Sequence, residues 1–258
     1  MSVGIIGLGV VGSATFRCFE AAGLNPKGYD VDPARSRNSL EETLGQQVIL
    51  ISLPTVVDDD GVCDLAPIHS TLMRAAELEV QGTIVIRSTV PVGTTERLRH
   101  EFPRLKLGFS PEFLRAAHAD ADVLNPPMTV YGGEHGKPYF DLLRSIPLGC
   151  EDSYKILTSG EAELLKLLLN SFAALKTIFA SEMSALARRV GADWDKIVDI
   201  ARIEGRLGRG YLSATGSDGL PGYDGSCLPK DCRMLVRQLG DASLLRYVQE
   251  LNCKLRSS

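Results

Sequence analysis

The chain has 258 residues, a formal net charge of −4, 44% hydrophobic and 23% charged residues, enough to bury a full core as one large domain or two smaller ones. Without a block of like charge a nucleic-acid partner is not expected, and no uninterrupted apolar run reaches the ~18–20 residues that cross a bilayer. The six cysteines, at 18, 63, 150, 227, 232 and 253, are scattered with no C-x-x-C pair, so the expectation is a reducing cytoplasm, no disulfide framework and no metal site.

Taken in order, Ser2–Ile6 reads as a short apolar strand rather than as a leader peptide. It runs into Gly7-Leu8-Gly9-Val10-Val11-Gly12 and then a helical stretch to about Ala22. A G-x-G-x-x-G between strand and helix is the context of a dinucleotide site. Gly7 serves the tight turn, Gly9 the approach of a pyrophosphate, and Gly12 the packing of helix on strand. Val10 and Val11 open the helix whose N-terminus faces the phosphates. Lys27–Val31 forms a second strand carrying Asp30, 18 residues past Gly12. A carboxylate there suits the ribose hydroxyls of NAD. Arg35 close by keeps NADP open, because an arginine can accept a 2′-phosphate.

Gln47–Leu53 is a near-continuous apolar strand ended by Pro54-Thr55, as in a buried parallel sheet. A polar loop at Asp58–Asp64 precedes a helix from Ala66 to Leu78. Strands follow at Gly82–Arg87, Leu105–Phe109 and Met128–Gly132, with helices to about Glu101 and over Lys137–Ser145. This alternation predicts an α/β fold with a Rossmann-type doubly wound parallel sheet, an NAD-binding domain over 1–157. Ligands sit at the carboxyl ends of such strands, where Asp30, Thr55, Thr89 and Glu112 fall.

Thr158 and Glu161 offer a capping box. From Glu161 to Val190 runs one helical pattern without proline or glycine, roughly 45 Å long. It is apolar nearly all round, so it must be buried in the chain or against a second subunit. Lys166 and Asn170, four apart, share one face and need polar partners. A shorter helix is expected at Asp193–Ala201, then a glycine-rich loop over 203–226 with Arg206, Arg209 and Tyr211. The stretch Gly222-Tyr223-Asp224-Gly225-Ser226-Cys227-Leu228-Pro229-Lys230-Asp231 reads as loop, followed by helices at Cys232–Gly240 and Leu244–Leu255. Residues 158–258 thus form a long connecting helix and a small helical domain. By itself Cys227 reads as a buried inert thiol. Lys230 places a cation near the sulfur, which favours a nucleophilic thiolate.

Several separated motifs change that balance: the glycine turn with Asp30 and Arg35, S-T-V-P-V-G-T-T at 88–95, S-P-E-F-L-R at 110–115, E-L-L-K-L-L-L-N at 163–170, R-L-G at 206–208, and the cysteine stretch. Together the chain resembles the UDP-glucose/GDP-mannose dehydrogenase family along nearly its whole length. The resemblance implies two NAD-dependent oxidations of a nucleotide-sugar primary alcohol to a carboxylate. NAD would lie on Gly7–Gly12, Asp30 and Arg35, with Pro54, Thr55, Ser88 and Thr89 at the strand ends and Lys230 on its phosphates. Lys166 and Asn170 would hold the substrate oxygen. Cys227 would carry a thiohemiacetal and then a thioester, hydrolysed by water positioned by Thr89, Glu112 and Asp231. Residues Glu112, Phe113, Leu114 and Arg115, with Tyr211 and Tyr223, would line the sugar pocket. Arg206 would reach the substrate of a neighbouring subunit in a homodimer.

Three departures stand out. The chain stops soon after the cysteine stretch, where the family adds a nucleotide-binding domain, as in shorter members sharing the Gly216-Ser217-Asp218-Gly219 insertion. Ala116 replaces the family's second glutamate. Asp224 replaces a glycine and would disfavour an anion at the sulfur or reshape the pocket. Two alternatives stay open: a single-step hydroxyacid dehydrogenase of the 6-phosphogluconate dehydrogenase type, which uses no cysteine, and a non-catalytic NAD-binding relative.

Overall fold

Short runs of Val, Ile and Leu make the core strands because both faces of each are covered. The computed structural model describes residues 1–114, 118–126, 128–146, 154–208, 210–240 and 242–257. In chain order the elements are β1 (Val3–Ile6), α1 (Val10–Ala21), β2 (Lys27–Tyr29), α2 (Leu40–Leu44), β3 (Val48–Ile51), α3 (Ala66–Glu77), β4 (Thr83–Ile86), α4 (Thr94–Glu101) and β5 (Lys106–Phe109). There follow α5 (Ala119–Leu124), β6 (Thr129–Gly132), α6 (Lys137–Arg144), β7 (Tyr154–Leu157), α7 (Ser159–Arg189), α8 (Trp194–Glu204), α9 (Cys227–Leu239) and α10 (Leu244–Arg256). The chain divides into two compact units, Met1–Val56 with Asp64–Lys166, and Val57–Cys63 with Leu167–Ser258.

The first unit is built on a seven-stranded sheet of order β2-β1-β3-β4-β5-β6-β7. Every pair is parallel except β5 with β6, which is antiparallel through Phe109 and Gly132. A parallel crossover at that point needs a helix laid across the sheet. The described helix there, α5, is short and instead ties to α1 through an Arg17–Asp120 ion pair at 2.5 Å. Strands β1, β3 and β4 are buried at every residue. Alternate side chains feed two cores: Ile6, Ile49, Ile51, Ile84 and Ile86 on one face, and Val3, Ile5, Val48, Leu50 and Val85 on the other. β7 is a strand that periodicity missed, because its two central residues, Lys155 and Ile156, are exposed and leave no apolar run.

The chain leaves β1 for β2 on one side and returns to β3 on the other. The switch point lies between β1 and β3, where α/β sheets open a ligand crevice. The two turns meet closely there. Gly7 has φ +89, and a methyl on it would lie 2.5 Å from the Ser52 carbonyl oxygen.

The predicted capping box starts α7: the Thr158 N–H donates to Glu161 Oε2 at 2.8 Å, and the Glu161 N–H donates to Thr158 Oγ1 at 3.3 Å. Against the expectation from uninterrupted runs, α7 is long and apolar enough by length and composition to cross a membrane. It carries Glu163, Lys166, Lys176 and Glu182, and it buries Ala162, Leu167, Ala174 and Ile178. These are marks of a core helix. In the second unit, Ala174 and Ile178 pack with Tyr223, Cys232 and Val248 from the cysteine stretch, α9 and α10.

Candidate functional site

The expected site residues fall in both units, and each set is described within its own. In the first, a methyl on Gly12 would overlap the Gly7 carbonyl oxygen, whereas one on Gly9 would meet nothing within 4 Å. Gly12 therefore serves packing, and Gly9 leaves open backbone beside the first turn of α1. Val10 is exposed there and Val11 half-buried. Leu8, Gly9, Val10, Ser13 and Arg35 line one open groove. This arrangement fits a dinucleotide pyrophosphate.

Asp30 is buried just past β2, with its Oδ2 accepting the Leu8 N–H at 2.7 Å and its Oδ1 accepting the Asp32 N–H at 2.9 Å. It thus pins the glycine turn. Arg35 pairs with Asp30 at 3.4 Å and with Asp32 at 3.1 Å. One cation shared between two carboxylates leaves a net negative corner.

The strand-end segments interlock. Ser88 Oγ donates to the Leu53 carbonyl at 2.7 Å, and Thr55 Oγ1 donates to the Thr89 carbonyl at 2.9 Å. Pro54 is exposed beside them and Thr89 half-buried. Past β5, Glu112 Oε1 accepts the N–H groups of Phe113 and Leu114 at 2.8 and 3.1 Å. Its other oxygen pairs with Arg87, and its carbonyl accepts Lys166 Nζ at 2.5 Å. The Lys166 ammonium also stands 5.7 Å from the centre of the Phe113 ring. Arg87 donates to Thr15 Oγ1 at 2.7 Å, and burial pulls its pKa down. Sequence reading did not single out Arg87. Its signal was a charge at the carboxyl end of an otherwise apolar strand. Arg115 and Ala116 lie outside the described residues.

In the second unit the cysteine stretch differs from the expected loop. Cys227 is the first residue of α9 and is exposed. Pro229 sits in that first turn, where its missing N–H costs no helical bond. A helix N-terminus favours an anion. Lys230 Nζ lies 2.7 Å from Asp231 Oδ1, so its charge is matched by that carboxylate rather than reserved for the sulfur. Asp231, one turn past Cys227, is 1% exposed and accepts Asn170 Nδ2 at 2.5 Å through Oδ2. Asn170 of α7 and the cysteine helix are therefore joined directly.

Asp224 is bonded within its own stretch. It accepts the Ser217 hydroxyl at 2.5 Å and the Ser217 N–H at 3.1 Å, bonds that hold its carboxyl below the usual range. The added carboxylate braces the 216–219 insertion. Tyr223 is 3% exposed, and burial pushes its phenol pKa up. It belongs to the core rather than to an open pocket wall, because its backbone is clamped by Asn252. The Asn252 amide accepts the Tyr223 N–H at 2.8 Å and donates to its carbonyl at 3.1 Å. Asn252, on α10, went unnoticed in the sequence because a lone amide in an amphipathic helix carries no pattern. Tyr211 is 52% exposed with φ +60, a costly conformation for a bulky residue. Arg206 is exposed and pairs with Glu204 at 2.5 Å. Arg209 lies outside the described residues. Among the described residues the cysteines are free, and no group of three His, Cys, Asp or Glu could hold a metal.

Residues 35–146 match the NAD binding domain of the UDP-glucose/GDP-mannose dehydrogenase family, and residues 160–254 match its central domain. The UDP-glucose 6-dehydrogenase of Pseudomonas aeruginosa is 32% identical over 237 residues, covering 84% of this chain and 51% of that protein. That of Campylobacter jejuni is 29% identical over 221 residues, covering 83% and 55%. The chain thus spans about half the length of these curated relatives. The structure of a UDP-glucose dehydrogenase from the archaeon Pyrobaculum islandicum superposes with a TM-score of 0.83 at 27% identity, covering 99% of this chain and 68% of that one. Both matched domains and the glycine turn agree, so NAD is the cofactor and the chain belongs to the UDP-glucose/GDP-mannose dehydrogenase family.

Proposed function

We propose that the protein oxidises a primary alcohol of a nucleotide sugar to the carboxylate in two NAD-dependent steps, with Cys227 as the nucleophile. The observation that carries this reading is the Cys227 helix. It begins at the thiol, and one turn later Asp231 is bonded to Asn170 of α7. A structural cysteine has no need of that arrangement. Residues Gly7–Gly12, Asp30 and Arg35 would hold NAD, which when bound accepts the hydride of each oxidation.

Lys166 would donate to the substrate oxygen and offset the negative charge that develops as the alcohol loses its proton. Cys227 sulfur then adds to the aldehyde carbon, the carbonyl oxygen taking up the proton, to give a thiohemiacetal. Loss of the second hydride and of the hydroxyl proton leaves a thioester. Asp231 would orient water onto the thioester carbon. Cleavage of the C–S bond releases the carboxylate and returns the thiol.

Purified protein offered NAD with UDP-, GDP- and TDP-sugars, free nucleosides and sugar phosphates is expected to form two NADH per substrate consumed, with a carboxylate product. One NADH and a released aldehyde or ketone would replace this reading with single-step oxidation. No turnover on any of them would leave a non-catalytic NAD-binding relative.

NAD is expected to be preferred over NADP by at least about tenfold in kcat/KM, roughly 1.4 kcal/mol. The reason is the charge around Arg35, which already serves Asp30 and Asp32. A 2′-phosphate would meet the surplus carboxylate. Equal kcat/KM for the two cofactors would overturn this account.

A further inference from the structure

Glu163, in the second turn of α7, is a carboxylate with no exposed surface. Its Oε2 accepts the Gly93 N–H at 2.6 Å, and its Oε1 accepts both the N–H and the hydroxyl of Thr95, at 2.8 and 2.6 Å. These groups open α4, whose own cap residue, Gly93 at φ +91, has no side chain to offer. Burial pushes the Glu163 carboxyl's pKa up, against bonds from Thr95 and Gly93 that pull it down.

A helix is usually capped by its own aspartate or serine, but at φ +91 position 93 favours glycine, so the cap comes from a distant element. What the distant cap achieves is connection. The segment it grips, 88–95, carries Thr89 and is tied at its other end to the segment after β3 through Ser88 to Leu53 and Thr55 to Thr89. Three residues along the same turn of α7, Lys166 holds the segment after β5 through the Glu112 carbonyl. One helical turn therefore sets both strand-end segments.

We propose that Glu163 is a positioning residue for the oxidation, fixing Thr89 relative to Lys166. This rests on the function proposed above. The test is Glu163→Gln. Glutamine keeps an oxygen for Thr95 but turns an N–H donor toward the Gly93 N–H. Hydrogen exchange across 88–101 should quicken by at least about tenfold while the sheet strands stay protected. Turnover should fall roughly 10- to 100-fold, as a misplacement of about 1 Å can cause, with KM for the sugar nucleotide within about threefold.

Thr95→Val removes one of the three bonds at similar volume and serves if Glu163→Gln does not fold. It should lower kcat by about three- to tenfold with the same split. Unchanged exchange over 88–101, or unchanged kcat in either folded variant, overturns the proposal. A wild type that turns over no nucleotide sugar ends the reading of function instead, and exchange alone then decides the positioning claim.

Discussion

Replacing Cys227 by serine is expected to leave NAD binding intact and to cut acid production by roughly 10⁴-fold or more, the scale of losing a catalytic nucleophile. The fold should not notice. Cys227 is exposed, and its sulfur stands 3.8 Å from Ser226 Oγ. A hydroxyl is a far weaker nucleophile than a thiolate, and its ester is a poorer acyl donor to water than a thioester. The variant therefore stalls after capture or before it. NADH titration, a stopped-flow trace of the first NADH formed, and chromatography of the product separate these stages. Full acid release by the serine variant would show that the cysteine is structural.

Mixing inactive Cys227→Ser with inactive Arg206→Ala subunits is expected to restore about a quarter of wild-type activity. We propose a twofold dimer, the commonest closed symmetry, in which Arg206 of one subunit serves the Cys227 pocket of the other. In the second unit, α7 leaves Leu168, Phe172, Phe179 and Leu186 exposed at 53, 55, 51 and 42%. Their spacing follows one side of the helix, and apolar side chains exposed along one side mark a partner surface. Burial gains about 25 cal/mol per Å². Arg206 is largely exposed and bonds to its near neighbour Glu204. Random reassociation makes half the dimers hybrid, each with one intact site of two. No recovery after joint unfolding and refolding, or a fully active monomer by light scattering at micromolar concentration, would sink the idea.

The parts of the site that sequence reading placed well are those with a local cause. The turn of Gly7, Gly9 and Gly12 is dictated by backbone sterics, and the i, i+4 placement of Lys166 and Asn170 by helical spacing. The cysteine helix was misplaced by five residues. The glycine-rich stretch read as loop up to Asp231, but Pro229 lies in the first turn of the helix, where proline is tolerated. The resemblance implied that Tyr223 lines the pocket, yet it is buried in the core with its backbone clamped by Asn252. Asp224 was expected to act on the sulfur or to reshape the pocket, and no spacing in the chain announced its bonds to Ser217.

By itself the sequence determined the alternation of strand and helix, the dinucleotide turn, the long α7 with its capping box, and the family. Each of these rests on periodicity or on residues adjacent along the chain. Only the tertiary structure decided which polar groups are already committed. Glu112 is held by Arg87, Lys230 by Asp231, Asp231 by Asn170, and Glu163 by the start of α4. The partners in most of these pairs are tens of residues apart, and burial compels every such group to find one. Which one it finds depends on how strands and helices stack in three dimensions, and no spacing in the chain encodes that.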